Sequence, residues 1–437
     1  MSQSTRGGLL RRHRDFRLLW CGETAGKFGA SVTGVAMPLV AVSTLDANTF
    51  EVGLLSAAAW APWLFIGLPA GVWVDRSRCR PIMLAAAAAS LLLFAGVPGV
   101  AWLGWLSTGL LLGVALLTGT AAVFFQTAYS AYLPSILEPD DQPEGNAKLH
   151  GSASAAQIAG LGSGGLIAQL AGAANGMFAN AATFLVSLLC LTGIRHREPP
   201  VTRSGHRPAT LVGEVREGLS LIADDPWFRA LTLFGAVSNL ALMGYQSIQV
   251  VFLVRTVGLA PGPVGALIAA TSAGGVVGAF AVRRVADRVG TARATLLFEL
   301  GLPLFALLIP LTVRGVGVLL FVTGGFCVCA GVVAGNIIKA SFQQRYCPPD
   351  LLGRLTASTA FLSYGTIPLG ALLGGALGTV LGIRTAMAVT TAGVPLAALI
   401  LYFSPIGRTR DLPAARRPTS GAPPSPDPDD KPVLPRP

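Results

Sequence analysis

Apolar residues in this chain gather into runs of about twenty, separated by short clusters rich in Arg, Asp, Pro and Gly. A helix needs roughly 20 mostly apolar residues to cross the hydrocarbon of a bilayer. Runs of that kind fall near 18–42, 52–74, 81–103, 107–130, 151–171 and 176–194. After a polar stretch, six more fall near 230–254, 260–282, 294–313, 316–338, 355–380 and 384–403. The third is interrupted near its end by Pro98-Gly99, and only Gly104-Trp105-Leu106 remains as a loop before the fourth. The pattern predicts an all-α membrane protein with twelve transmembrane helices.

The polar stretch divides those helices into two sets. It starts as a linker, Glu198 to Gly205, and continues with Leu211, Val215, Leu219 and Ile222 at helical spacing beside Glu214, Arg216 and Glu217. That spacing predicts an amphipathic helix on the cytoplasmic surface. An internal repeat supports two pseudo-symmetric six-helix bundles. Lys148-Leu-His-Gly-Ser152 and Gly162–Gly172 reappear as Arg354-Leu-Thr-Ala-Ser358 and Pro368–Gly378 at an offset of 206 residues, and Gly71 sits over Gly278 at a nearby one. The expected organisation is a cytoplasmic N-terminus (1–17), a first bundle (18–194), a cytoplasmic linker (195–229), a second bundle (230–406) and a disordered cytoplasmic tail (407–437). The tail is rich in Pro, Ser and Asp and lacks apolar content.

Composition changes the picture by excluding solubility. Of 437 residues only 12% are charged and 52% are hydrophobic, with a mean hydropathy of +0.62. Such a chain cannot cover its surface with charge, so lipid is its solvent. Fifty-three glycines suit closely packed membrane helices. The net charge of +11 suggests nucleic acid until the charges are placed. Arg6, Arg11, Arg12, Arg14, Arg17, Arg76, Arg78, Arg80, Lys148, the linker arginines, Arg283, Arg284, Arg288, Arg293, Lys339, Arg345 and Arg354 fall on one side; only Arg255, Arg314 and Arg384 fall on the other. This is the positive-inside bias. It puts both termini in the cytoplasm and accounts for the charge without nucleic acid. The six cysteines lie mostly in apolar runs, and no pair has metal-ligand spacing with histidine.

The loop after the second span reads Gly71-Val-Trp-Val-Asp75-Arg76-Ser-Arg78-Cys-Arg80. It resembles the loop signature of the major facilitator superfamily, Gly-x-x-x-Asp-Arg with further basic residues. Phe16–Trp20, Tyr132–Ser135, Phe342–Arg345 and Leu352-Gly-Arg354 extend the likeness to the enterobactin-exporter-like, multidrug-efflux-like branch, over roughly residues 10–405. The resemblance implies alternating access and an inter-half latch in which Asp75 meets the second half near Arg354. Helix N-terminal amides and a guanidinium would stabilise that carboxylate. Arg76, Arg78 and Arg80 serve the same loop or act as positive-inside anchors. The second-half counterpart has drifted: Val282 stands where an acid would fall, and Asp287-Arg288 lies further on.

Ionisable residues inside spans are the candidate chemistry, because an unpaired charge at the bilayer centre costs about 2.5–3.5 kcal/mol. There are three by this reading: Glu23 and Lys27 in the first span and Glu299 in the ninth. Glu23 and Lys27, four residues apart in the acid-first order, form either a structural ion pair or a proton-coupling pair lining a cavity. Glu299, without an evident partner, is either protonated in a helix interface or a second titratable site. Gln126, Gln157, Asn239, Tyr245, Gln249 and Asn336, with Gln246 beside them, are candidate substrate contacts, and each serves equally as interhelical glue. Many drug–proton antiporters of the superfamily carry an arginine in the fourth span; residues 107–130 hold no charge, which leaves Glu23 as the proton carrier.

No metal-ligand or catalytic constellation appears among the four histidines, and no Gly-x-x-x-x-Gly-Lys-Ser/Thr sequence occurs. The expected function is secondary active transport without cofactor: proton-coupled efflux of a small, partly apolar compound (a drug, siderophore or natural product) by a monomer in the cell membrane. The alternatives are an uptake symporter and a non-transporting sensor or scaffold of the same fold.

Overall fold

The structure is a computed structural model that describes residues 9–196, 198 and 219–413. Among these residues there are helices and no strands. After one turn at Leu9–Arg12, the first six helices are α1 (Arg14–Ser43), α2 (Thr49–Phe65 and Gly67–Asp75), α3 (Cys79–Trp102), α4 (Thr108–Ile136), α5 (Gln142–Ala171) and α6 (Met177–Gly193). The next six are α7 (Pro226–Val251), α8 (Pro261–Val289), α9 (beginning Thr291–Leu296 and running on to Leu311), α10 (Val318–Tyr346), α11 (Pro349–Val380) and α12 (Ile383–Phe403). Nine of the described helices are long and apolar enough to cross a membrane; α6 is shorter, at 17 residues.

Helix ends are set by local chemistry. At the start of α2, Asn48 and Glu51 satisfy each other's backbone amides at 2.9 and 2.7 Å, a capping box. Pro226 opens α7, and the buried Asp225 carboxylate accepts from the amides of Trp227 and Phe228 at 2.9 and 3.3 Å. Prolines act inside helices as well. The second span is not continuous: it breaks at Ile66, where Pro69 has no N–H to give the carbonyl of Phe65. In α9, Pro303 has no N–H to give the carbonyl of Glu299. The helix widens over Leu297–Gly301 and tightens over Leu302–Leu311.

Side-chain and backbone bonds define two faces. On one, Arg12 pairs with Asp141 at 2.6 Å, the Trp20 indole donates to the Lys148 carbonyl at 3.3 Å, and Glu198 accepts from the first amides of α3 at 2.7 and 2.6 Å. This basic face also holds the start of α9, where residues after α12 dock. The Asp411 carboxylate accepts from Thr291 N at 2.8 Å and the Arg410 carbonyl from Ala292 N at 3.1 Å. The tail expected to be unstructured from 407 therefore remains ordered through 413, because it supplies acceptors to α9's exposed amides. Residues 414–437 and most of the linker helix expected before α7 lie outside the described residues; residues 219–224 are helical.

The packing repeats between the first six helices and the second six. α1 packs on α5 and α6, α2 on α4, and α3 on α4 and α6; likewise α7 packs on α11 and α12, α8 on α10, and α9 on α10 and α12. Two seams cross between the sets, α2 against α11 and α5 against α8. Both are backbone-on-backbone. A Cβ on Gly53 of α2 would lie 2.9 Å from the Cα of Gly375 in α11. A Cβ on Gly165 of α5 would lie 2.7 Å from the nitrogen and 2.8 Å from the Cα of Gly265 in α8. Gly165 and Gly375 are thus equivalent, 210 residues apart, which moves the repeat one helical turn beyond the 206 read from sequence.

Replacing Gly165 by Val forces the α5–α8 seam apart, and overpacking of this kind costs about 1–3 kcal/mol. The thermal midpoint of purified Gly165→Val should fall clearly, while Gly113→Val, whose Cβ meets no atom within 4 Å, should match wild type. Equal midpoints for the two variants would contradict the seam.

Candidate functional site

A cavity of about 400 Å³ lies among α1, α2, α3, α4 and α6. Its walls are mostly apolar and include Trp60, Trp63, Phe94 and Phe125, and the charges in them come from α1. Glu23 and Lys27 stand on one helical face with Oε1 and Nζ 3.2 Å apart. Lys27 also donates to Gln126 Oε1 of α4 at 3.4 Å. The Glu23 side chain is 10% exposed and that of Lys27 43%, so the acid is tucked in and the lysine carries the charge to the open space.

A second cavity, about 360 Å³, lies among α7, α9, α10 and α11. Its lining is far more polar: Ser238, Asn239, Asn336, Gln343, Thr356, Thr359 and Ser363 face it, and Asn239 Nδ2 donates to the Ser363 carbonyl at 3.4 Å. Glu299, 7% exposed, enters from the widened turn of α9, its carboxylate lying against Gly335, where any side chain would collide with it. Lys339 enters from α10 one turn beyond Gly335.

An aromatic cluster stands between the two. The Trp60 and Trp63 rings of the first cavity lie 6.3 and 5.5 Å from the ring of Tyr364, which lines the second. This wall sits on the α2–α11 seam. Away from the basic face two further contacts cross between the helix sets. Asp46 pairs with Arg255 at 2.6 Å, and Gly262 N donates to Gln169 Oε1 at 2.9 Å. No strongly packed pair of described helices joins α4 or α5 to α10 or α11, so the crossing contacts concentrate away from the basic face.

Several sequence expectations need correction. Lys339 is not at a loop: α10 continues to Tyr346, eight residues past the predicted end, and carries it into the cavity. Glu299 accordingly shares its cavity with a lysine, although the two make no ion pair within 4.0 Å. Gln126, Asn239 and Asn336 line cavities, whereas Gln157 is exposed, Tyr245 is packed in the core, and Gln249 is half-buried in α7; none of these three is among the lining residues. In the loop after α2, Gly71 is half-buried and Arg76 and Arg78 are exposed. Arg80 is more than an anchor, because its guanidinium donates to the carbonyls of Leu191 and Thr192 at 3.1 and 2.9 Å and closes the end of α6. The Asp75 side chain lies outside the described residues, and Arg354 is partly buried in the second turn of α11. Sequence reasoning missed Lys339, Trp60, Trp63 and Tyr364. The repeat of Asn336, Lys339 and Gln343 on one face of α10 was the available signal for the first, and Trp60 and Trp63 at i, i+3 for the next two.

A membrane-compatible helical protein with repeated packing and charged internal cavities has the build of a secondary transporter. The chain belongs to the Major Facilitator Superfamily, whose family model matches residues 19–367. It is 27% identical over 433 residues to the multidrug efflux pump Tap of Mycolicibacterium fortuitum, covering 96% of this chain and 100% of that protein. Its fold is similar to the nucleoside transporter NupG (TM-score 0.72, 10% identity, 89% of this chain and 98% of that one). It is similar also to a bacterial homologue of the iron transporter ferroportin in an inward-facing state (TM-score 0.71, 15% identity, 90% and 98%). The protein is an integral membrane transporter and not an enzyme.

Lys27→Met leaves Glu23 without its cation, and the loss, discounted for the exposure of Lys27, should be about 1–2 kcal/mol. Glu23→Gln/Lys27→Met should recover part of it in a double-mutant cycle read by thermal unfolding. Additive losses would show that the two side chains do not interact.

Proposed function

We propose that this protein exports a small, partly apolar compound in exchange for protons. In this reading its twelve helices form two six-helix bundles that rock about the central cavities, with both termini in the cytoplasm and the chain acting as a monomer. The observation that carries the reading is the Glu23–Lys27 pair in an otherwise apolar cavity. A proton on Glu23 removes the charge that holds Lys27 at 3.2 Å and frees the ammonium to change partners, so protonation and cavity geometry are linked. Glu299 is a second titratable group on the other side of the aromatic wall.

The seams support the rocking motion. At their glycine contacts α2 meets α11 and α5 meets α8 through backbone, so no side chains interlock at those crossing points. The crossing bonds Asp46–Arg255 and Gln169–Gly262 fit a state closed away from the basic face. Asp75, in the loop that resembles the superfamily signature, would latch the basic face against the region of Arg354 when the halves swing the other way. The likeness to a multidrug efflux pump favours export.

Inside-out membrane vesicles under an imposed pH gradient test this directly, with phenylnaphthylamine as a neutral, lipophilic fluorescent probe. Gradient-dependent accumulation is expected, and Glu23→Gln should abolish it while leaving folded protein in the membrane. Unchanged flux in that variant removes Glu23 from the mechanism. Movement in the opposite direction would make the protein an uptake symporter, and no movement of any tested compound would leave a sensor or scaffold. Orientation is read separately: alkaline phosphatase fused after Arg408 should be inactive and fused at Gly104 active, and the reverse would overturn the topology.

A further inference from the structure

The two lysines inside the helix bundle are held differently. Lys27 is engaged by Glu23 at 3.2 Å and by Gln126 at 3.4 Å. Lys339 faces a cavity of about 360 Å³, yet among the described residues its ammonium makes no hydrogen bond within 3.5 Å and no ion pair within 4.0 Å. A lysine carries three donors and strongly favours a partner where water is scarce. Glu299 shares the cavity but does not reach it: the carboxylate is 7% exposed and pressed against Gly335. The titratable groups facing Lys339 from other helices are Glu299 of α9 and Tyr364 of α11; the α7 lining is uncharged. The same cavity is lined by side chains with donors to give, the amides of Asn336 and Gln343 and the hydroxyl of Ser363, whereas the hydroxyls of Thr356 and Thr359 already donate to the carbonyls of Leu352 and Leu355 at 2.8 and 2.6 Å. One cation beside neutral donors is a setting for an oxyanion.

The neighbouring wall gives the rest of the ligand. Tyr364 lines this polar cavity and packs on Trp60 and Trp63, which line the apolar one. A molecule seated across that cluster would place flat apolar surface on the rings and a charged group beside Lys339. We propose that Lys339 is the docking point for an anionic group of the cargo, and that the cargo class is amphiphilic organic anions bearing a carboxylate, sulfonate or phosphate on an aromatic body. This rests on the reading that the two cavities form the transport path. Glu299 then acts as a competing internal anion that keeps Lys339 from holding the cargo too tightly.

The test is equilibrium binding to the full-length protein in nanodiscs, measured against empty nanodiscs, with two fluorescent dyes of closely similar aromatic body. Anilinonaphthalene sulfonate is anionic and phenylnaphthylamine is neutral. Lys339→Met should weaken the anionic dye about tenfold or more, the loss of one charge-assisted hydrogen bond, with the neutral dye changed less than about twofold. Lys339→Arg should retain the anionic dye, and Glu299→Gln should bind it more tightly. Equal losses for both dyes, or no loss for either, would overturn the anion site. Should Lys339→Met fail to fold, unchanged binding of the anionic dye to Glu299→Gln would overturn it as well. No proton gradient enters this measurement. Lysine-dependent binding without gradient-driven flux would therefore refute only the proton coupling, and flux without lysine-dependent binding only the anion site.

Discussion

Where α2 crosses α11 and α5 crosses α8, a side chain of even one carbon has no room. Gly53 faces Gly375 and Gly165 faces Gly265, and each pair lets two backbones approach until van der Waals contact runs through the main chain itself. In lipid there is no hydrophobic drive to push helices together, since the tails are as apolar as the side chains. Close approach of backbones therefore supplies much of the attraction. The two seams are counterparts under the internal repeat, so one kind of contact, used twice, joins the first six helices to the second six. At the glycine crossings themselves no side chains interlock, and that suits sliding or rocking there.

The cavities follow from that arrangement. With small residues at the seams, the large side chains are left to line space within each helix set. The first set presents Trp60, Trp63 and Phe125 with Glu23 and Lys27; the second presents amides and hydroxyls with Glu299 and Lys339. Each set thus carries one acid and one lysine, but only in the first do the two touch. That asymmetry divides the proposed labour, a linked proton site on one side of the Trp60–Trp63–Tyr364 cluster and a cargo-binding site on the other.

Much of the fold was legible because hydropathy runs and positive charge are one-dimensional signals. All twelve runs correspond to helices in the structure, the short turn at Gly104 included, and the i, i+4 geometry of Glu23 and Lys27 follows from helix pitch alone. The site was legible only in part. Lys339 was lost because a charge in a hydropathy window looks like the end of a span, whereas α10 continues and turns that charge inward. Trp60 and Trp63 were lost for the complementary reason: an apolar side chain facing a cavity and one facing lipid have the same hydropathy, and only helix rotation separates them. Gln157 is the converse case, a polar residue within a span that is exposed and lines neither of the two cavities. The break at Ile66 and the widened turn at Glu299 depend on Pro69 and Pro303, whose presence is visible in sequence although their local outcome is not.

Rocking of two halves about a shared centre makes a reciprocal geometric demand on the two faces. Pairs of spin labels at exposed, repeat-related positions near helix ends read it: Leu103 with Val316 away from the basic face, and Glu138 with Gln344 on it. The labels would be introduced in a chain lacking its six free cysteines, and distances compared with and without cargo across a range of pH. Reciprocal change is expected, with one pair separating as the other approaches and with Glu23→Gln holding both at one extreme. Distances that stay fixed under every condition, or that lengthen together, would contradict a rocking transporter.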